Sequence, residues 1–266
     1  MLGKLIKNEF KATARNFVPV YLVMLVVTLF LKIFLEISEL FTISDTIMSV
    51  LAVLLITSFV VAIFGVIFGT LIFIVKRFYD NMLKDEGYLS FTLPVTTGQH
   101  IASKAITNYV WVLASAAVIV LSIVLLALGN PTFFQTVSKD INEGIKFLSD
   151  NGYWGYAVVV LAIILIGIYG VIMMIYTCLS VGQLFNKHRV AGAVITYVVI
   201  YAIEQICSSV FLATKLIGVD EWEMTMDYEK EFFVPMLIFQ LIKAIVEVLA
   251  FTVITHVMLN RKLNLE

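Results

Sequence analysis

Long runs of apolar residues dominate the hydrophobic pattern of this chain. Six runs reach the roughly 20 residues that a helix needs to cross the hydrocarbon core of a bilayer. Lipid cannot hydrogen-bond a peptide group, so each run is predicted to be a helix that satisfies its own backbone. The predicted spans are residues 17–37, 47–75, 105–129, 154–185, 190–214 and 232–259. The pattern therefore predicts an all-α integral membrane protein with six transmembrane helices, in a single transmembrane domain of residues 1–266.

The first fifteen residues have an amphipathic pattern instead. Apolar side chains recur there at helical spacing, and lysines fall on the other faces. The apolar set is Leu2, Leu5, Ile6 and Phe10, and the basic set is Lys4, Lys7 and Lys11. This arrangement predicts an N-terminal amphipathic helix over residues 1–15 that lies in the headgroup layer. A frayed basic tail is the alternative.

The segment between spans two and three, residues 77–98, is predicted to be a structured cytosolic element. Gly87 permits a helix to stop there, and Pro94 prevents simple helix continuation. Thr96 followed three residues later by Gln99 matches a helix capping box. The third helix is therefore expected to begin near residue 97.

Several large apolar and aromatic side chains fall within this predicted cytosolic segment. They are Phe78, Tyr79, Tyr88, Leu89 and Phe91. A large contiguous apolar patch on an exposed surface usually marks a site where the protein binds a partner. We therefore expect the segment to dock onto a partner.

A short helix is also expected between spans three and four. Apolar residues recur every three or four positions from residue 133 to residue 148. Residues 130–152 are therefore predicted to form an external helical loop on the outer membrane surface.

Composition indicates that the chain folds in lipid, and the distribution of charge predicts how it is oriented across the membrane. Hydrophobic residues make up 61% and charged residues 14% of the chain, against about one half and one quarter in soluble domains. Basic residues concentrate on the cytoplasmic side of membrane proteins. Twelve of them fall at the two termini and in the second and fourth loops: Lys4, Lys7, Lys11, Arg15, Lys76, Arg77, Lys84, Lys104, Lys187, Arg189, Arg261 and Lys262. Both termini are therefore expected in the cytoplasm of a multi-pass plasma-membrane protein.

Three ionisable residues fall deep within predicted spans: Glu204, Lys243 and Glu247. Charges at this depth are unfavourable, so each needs a partner or a function. Their positions place them at similar depths on antiparallel spans five and six, with polar companions on the same faces. These companions are Tyr197, Tyr201, Ser208 and Gln240. The cluster either locks the two helices together or faces a substrate path, and the sequence leaves both interpretations open.

Motifs for catalysis or metal binding are missing from the sequence. There is no Gly-x-Ser-x-Gly or His-Glu-x-x-His motif and no phosphate-binding loop, so the chain cannot hydrolyse ATP alone. His100, His188 and His256 match no metal spacing and are interpreted as interfacial residues. Cys178 and Cys207 are interpreted as small packing residues. No cofactor and no metal are expected on this chain.

The order of these parts resembles that of the type-2 ABC exporter permeases. One sequence motif is similar to that of small permeases of this group from Gram-positive bacteria. It is Asp85-Glu86-Gly87-Tyr88-Leu89-Ser90-Phe91-Thr92-Leu93-Pro94-Val95, followed by Gln99 and Ser103-Lys104. The resemblance implies that two permeases, identical or paralogous, pair within the lipid. It also implies that two separate ATP-binding subunits, which hold ATP and Mg, dock beneath them.

In this resemblance the loop after span two supplies the coupling helix. The residues it would place against the ATP-binding subunit are Tyr79, Asp85, Glu86, Gly87, Tyr88, Leu89 and Phe91. Spans two and five would line the interface between the permeases, which would turn Tyr201 and Glu204 toward the substrate path.

The expected function is therefore that of a permease subunit in an ATP-driven exporter of a hydrophobic or amphipathic substrate, namely a peptide, a drug or a lipid. No catalytic residue is expected on the chain, and no nucleic-acid partner. An ion-coupled or solute-binding membrane transporter is the first alternative, in which the deep charged cluster binds a proton or a small solute. A membrane-embedded enzyme without a familiar motif is the second.

Overall fold

The computed structural model describes residues 2–37, 45–84, 95–128, 131–185, 188–216 and 226–261. Seven α-helices account for nearly all of these residues. They are α1 (Leu2–Ile37), α2 (Asp45–Phe78), α3 (Thr97–Ala127), α4 (Pro131–Asp150), α5 (Trp154–Gly182), α6 (Arg189–Leu216) and α7 (Met226–Arg261). A π-helical turn, Tyr79–Leu83, continues α2. The all-α fold class predicted from the apolar runs is confirmed.

Six of these seven helices, all except α4, are long and apolar enough to cross a membrane. Their apolar side chains largely face outward: Phe30 is 63% exposed and Val53 is 62% exposed. A surface of this kind would be an aggregation site in water, but it is the normal surface of a helix in lipid. The chain is therefore a multi-pass membrane protein.

Helix α1 differs from the expected separate helix in the headgroup layer. Residues of the predicted N-terminal amphipathic helix and of span one form one continuous helix of 36 residues. At about 1.5 Å per residue it is about 54 Å long, whereas the hydrocarbon core is about 30 Å thick. The amphipathic residues therefore run into the span without leaving the helix, and Pro19, where helices commonly kink, lies at their junction.

The first of two compact units contains Met1–Arg77 and Ala102–Phe147. Its core lies where α1, α2 and α3 pack together. The Phe17 ring stacks on Trp111 with 4.7 Å between ring centroids. Ser115 shares hydrogen bonds of 2.8 Å with the hydroxyls of Tyr21 and Thr70, which joins one residue from each of the three helices.

The second unit contains Phe78–Ile101 and Leu148–Glu266. Phe78 stacks on Tyr176 of α5 with 3.9 Å between ring centroids, and neither side chain is exposed. The Thr177 hydroxyl lies 3.0 Å from that of Thr255 and donates to the Phe251 carbonyl at 3.1 Å. The Thr177 contacts hold α5 against α7, and the ring stack holds the end of α2 against α5.

Helices α5 and α6 approach so closely at their connection that only glycine fits. A Cβ atom added at Gly182 would lie 2.7 Å from the backbone nitrogen of Ala193 and 2.7 Å from the backbone oxygen of Arg189. A Cβ atom at Gly192 would meet the partly exposed Phe185 ring at 2.3 Å and the backbone oxygen of Gly182 at 3.1 Å, so the approach is close there as well. The two glycines set the spacing of this helical hairpin.

Candidate functional site

The α2–α3 segment, defined here as residues 77–104 and so including the end of α2 and the first two turns of α3, has two stems that the structure describes. The first stem is Arg77–Lys84 and the second is Thr96–Lys104. Of the predicted coupling residues, Tyr79 belongs to the first stem. Asp85, Glu86, Gly87, Tyr88, Leu89 and Phe91 lie outside the described residues.

The first stem is anchored by apolar burial within the second unit. Phe78, Met82 and Leu83 are buried, and the π-helical turn carries the last two beyond the end of α2. Tyr79 is half-buried, and the Lys84 ammonium lies 5.1 Å from the centre of its ring. The prediction that Phe78 belongs to an exposed patch is wrong, because its ring is covered by Tyr176.

The second stem is anchored at the first turn of α3. The Thr96 hydroxyl accepts a hydrogen bond from the Gln99 backbone N–H at 3.4 Å, so the predicted helix start is confirmed. The Thr97 hydroxyl donates to the Asn260 amide oxygen at 2.5 Å. Asn260 also contacts His256, with 2.9 Å between the amide nitrogen and ring nitrogen Nε2. These side chains fix the start of α3 against the end of α7.

A buried ionic cluster joins three helix segments within the first unit. Arg77 donates from Nε and Nη2 to the Oε2 atom of Glu9, each at 3.0 Å. Lys104 donates to the other oxygen, Oε1, at 2.5 Å. The Lys104 side chain is 3% exposed and that of Glu9 is 14% exposed. The carboxylate of α1 is thus bound to both stems of the α2–α3 segment.

Sequence reasoning missed this cluster, although the sequence contains a signal for it. Glu9 is the sole acidic residue before Glu36 and lies at helical spacing from Leu2, Leu5 and Ile6. An acidic side chain on the apolar face of a basic helix needs a cation when that face is buried. Its partners lie 68 and 95 positions away, so periodicity could not identify them.

The intramembrane polar cluster forms in the second unit, between α6 and α7. The Lys243 ammonium donates to the Ser208 hydroxyl at 3.2 Å and pairs with the Glu247 carboxylate at 3.5 Å. Glu204 is close enough to Glu247 and Cys178 for its charge to act on both. The structure therefore brings together the deep ionisable residues that the sequence singled out.

The predicted polar companions of this cluster are more exposed than its charged residues. Tyr197 and Tyr201 stack on each other with 6.3 Å between ring centroids, and they are 46% and 50% exposed. They point away from the packed face of α6. Gln240 is half-buried on α7. Both interpretations of the cluster, a helix lock and a substrate path, remain compatible with this arrangement.

In the part of the chain that the structure describes, no group of three or more His, Cys, Asp or Glu side chains comes together to form a metal site.

Comparison with known proteins gives no match: no protein-family model, no curated protein and no solved structure aligns with this chain. The arrangement of its own residues is therefore the basis for a functional proposal.

Proposed function

We propose that this chain is the membrane-spanning permease subunit of an ATP-driven exporter. In this proposal it moves a hydrophobic or amphipathic substrate, namely a peptide, a drug or a lipid, out of the cell. The six candidate spans support a transport function, and the similarity of residues 85–95 to type-2 ABC exporter permeases supports the class.

The anchoring of the α2–α3 segment is the observation that carries the proposal. A cytosolic element that transmits movement must be attached rigidly to the spans at both ends. The first stem is fixed by the burial of Phe78 and Met82, and the second by the bond between Thr97 and Asn260. An ordinary connecting loop needs no such attachment, because loops usually run over the surface with few contacts.

The proposal assigns ATP and Mg to a separate ATP-binding subunit, because the sequence has no phosphate-binding loop. Tyr79 and residues 85–91 would form the docking surface on the permease. A second copy or a paralogue of the permease would pack alongside in the lipid. Both termini would lie in the cytoplasm, as the distribution of basic residues predicts.

The energy source is the first thing to test. Everted membrane vesicles from cells that make this chain together with its ATP-binding subunit would be incubated with a fluorescent hydrophobic dye as the probe. We expect ATP-dependent uptake that persists after an ionophore collapses the proton gradient, because ATP alone would drive the movement. Uptake driven by an imposed gradient without ATP would contradict the proposal.

Ion-coupled transport is the second candidate, and the intramembrane cluster is the observation that favours it. Lys243, Ser208 and Glu247 are in contact, and Glu204 lies close to them. A half-buried carboxylate at membrane depth is a typical proton or cation site. Under this candidate, Glu204→Gln would abolish gradient-driven uptake in the same vesicles while the protein stays folded. Unchanged uptake in that variant would leave the cluster a purely structural role.

A further inference from the structure

Glu9 is bound to both stems of the α2–α3 segment through different carboxylate oxygens. Its Oε2 atom accepts from Arg77, which lies two residues before the π-helical turn begins. Its Oε1 atom accepts from Lys104, in the second turn of α3. One side chain of α1 therefore holds the point where the chain leaves α2 and the point where it enters α3.

The attachment of α1 to α3 continues toward the membrane along one helix face. Four residues after Glu9, the Thr13 hydroxyl accepts from the Trp111 indole N–H at 2.8 Å. Four residues further, Phe17 stacks on the same indole with an interplanar angle of 4°. Residues four apart on a helix share a face, so three consecutive turns of α1 contact α3.

Because α1 is helical from Leu2 to Ile37, with Pro19 inside it, a displacement at Glu9 passes to the first span through helical backbone rather than through a loop. A flexible joint before span one would absorb such a displacement. Within the first unit, the Glu9 cluster is therefore placed to move α1 together with the ends of α2 and α3.

We propose that Glu9 is a positioning residue that ties α1 to both stems, so that movement imposed on the α2–α3 segment by the ATP-binding partner is transmitted to the first span. This inference rests on the proposed function. Glu9 itself touches neither nucleotide nor substrate in this account. It determines how much of each ATP-driven movement reaches the membrane helices.

The test needs a variant that loosens the attachment without leaving a buried charge. Removing Glu9 alone would take this carboxylate away from the Lys104 ammonium, whose side chain is 3% exposed, and deleting one partner of a buried ion pair strongly destabilises a fold. The double variant Glu9→Gln with Lys104→Met removes the buried charge pair and keeps similar side-chain volumes, while Arg77, which is 28% exposed, stays in contact with solvent. The control is Glu36→Gln, which breaks the Lys32–Glu36 pair on the same helix, where the carboxylate is 60% exposed.

Coupling is measured as dye transported per ATP hydrolysed, with the permease and its ATP-binding subunit together in proteoliposomes. In the double variant we expect this ratio to fall by about fivefold or more, the lower end of measured coupling between sites. The thermal unfolding midpoint and the amount of bound ATP-binding subunit should match those of Glu36→Gln. A ratio within about twofold of the control would overturn the inference, because a residue that only stabilises the fold does not change coupling.

The permease alone in lipid nanodiscs provides a measurement that is independent of the partner. In the double variant, backbone amides in residues 2–12, 79–84 and 97–104 should exchange with deuterium about tenfold faster than in Glu36→Gln, because local opening becomes easier. Unchanged exchange would overturn the attachment itself. If no ATP-binding subunit associates with the wild-type chain, the proposed function fails, and this comparison still decides whether Glu9 holds the stems.

Discussion

Glycine at position 182 shows how one residue sets the distance between two helices. The backbone of α6 occupies the space that a side chain at Gly182 would need. By contrast, a Cβ atom added at Gly167, on the same helix, would meet nothing within 4 Å. Gly182 and Gly167, two of the four glycines of α5, therefore have opposite tolerances for the same added methyl group.

We expect Gly182→Ala to lower the free energy of unfolding by about 1–3 kcal/mol, the usual effect of overpacking a close contact. Gly167→Ala should be neutral or slightly stabilising, since alanine favours helix over glycine by about 1 kcal/mol. Thermal unfolding of both variants in the same detergent checks the difference. Equal midpoints would show that α5 and α6 do not pack as closely as the structure has them.

At the same scale, local spacing predicted some contacts and could not predict others. Lys243 and Glu247 are four residues apart on one helix, so their pairing follows from helical geometry alone. The pairing of Glu9 with Lys104 needs two helices to pack in one particular way. The burial of Phe78 likewise depends on Tyr176, a residue 98 positions away in the chain. Such long-range contacts leave no periodic signal.

Among the elements, the helices and their approximate limits followed from the length of the apolar runs. The predicted capping box at Thr96 gave the start of α3 to within one residue. The hydrophobic pattern did not predict that the amphipathic N-terminal residues and span one form a single helix, α1. A change from an amphipathic to a wholly apolar sequence shows where the surroundings change, but it does not show whether the helix axis bends there.

The continuity of α1 predicts a gradient of depth along its exposed basic face. Lys4, Lys7, Lys11 and Arg15 are all exposed, and about 16 Å of helix separates the first from the last. Spin labels on cysteines at these positions should show steadily rising accessibility to a water-soluble relaxation agent from Arg15 to Lys4. Equal accessibility at all four positions would instead indicate a helix lying flat in the headgroup layer.

For the whole molecule, the apolar runs show that the helices lie in lipid. The connection between α2 and α3 is what distinguishes this chain from a generic helical bundle. The same buried contacts that anchor its stems would make it a rigid attachment for a partner. The orientation predicted from the basic residues would place it in the cytoplasm, within reach of an ATP-binding subunit. Of the proposed docking residues, Tyr79 belongs to the described first stem, and those of residues 85–91 are assigned from the sequence.

Association with an ATP-binding subunit tests the central claim most directly. The chain and its double variant Tyr88→Ala with Leu89→Ala would be purified in mild detergent, and the co-purifying phosphate-binding-loop protein identified and quantified. We expect the double variant to retain about tenfold less of this subunit, because tyrosine is enriched among the hot-spot residues that each cost about 2 kcal/mol or more when truncated. A matched control, Tyr156→Ala with Leu161→Ala on the exposed surface of α5, should retain the wild-type amount. Equal retention by both variants, or no such subunit bound to the wild-type chain, would contradict the account.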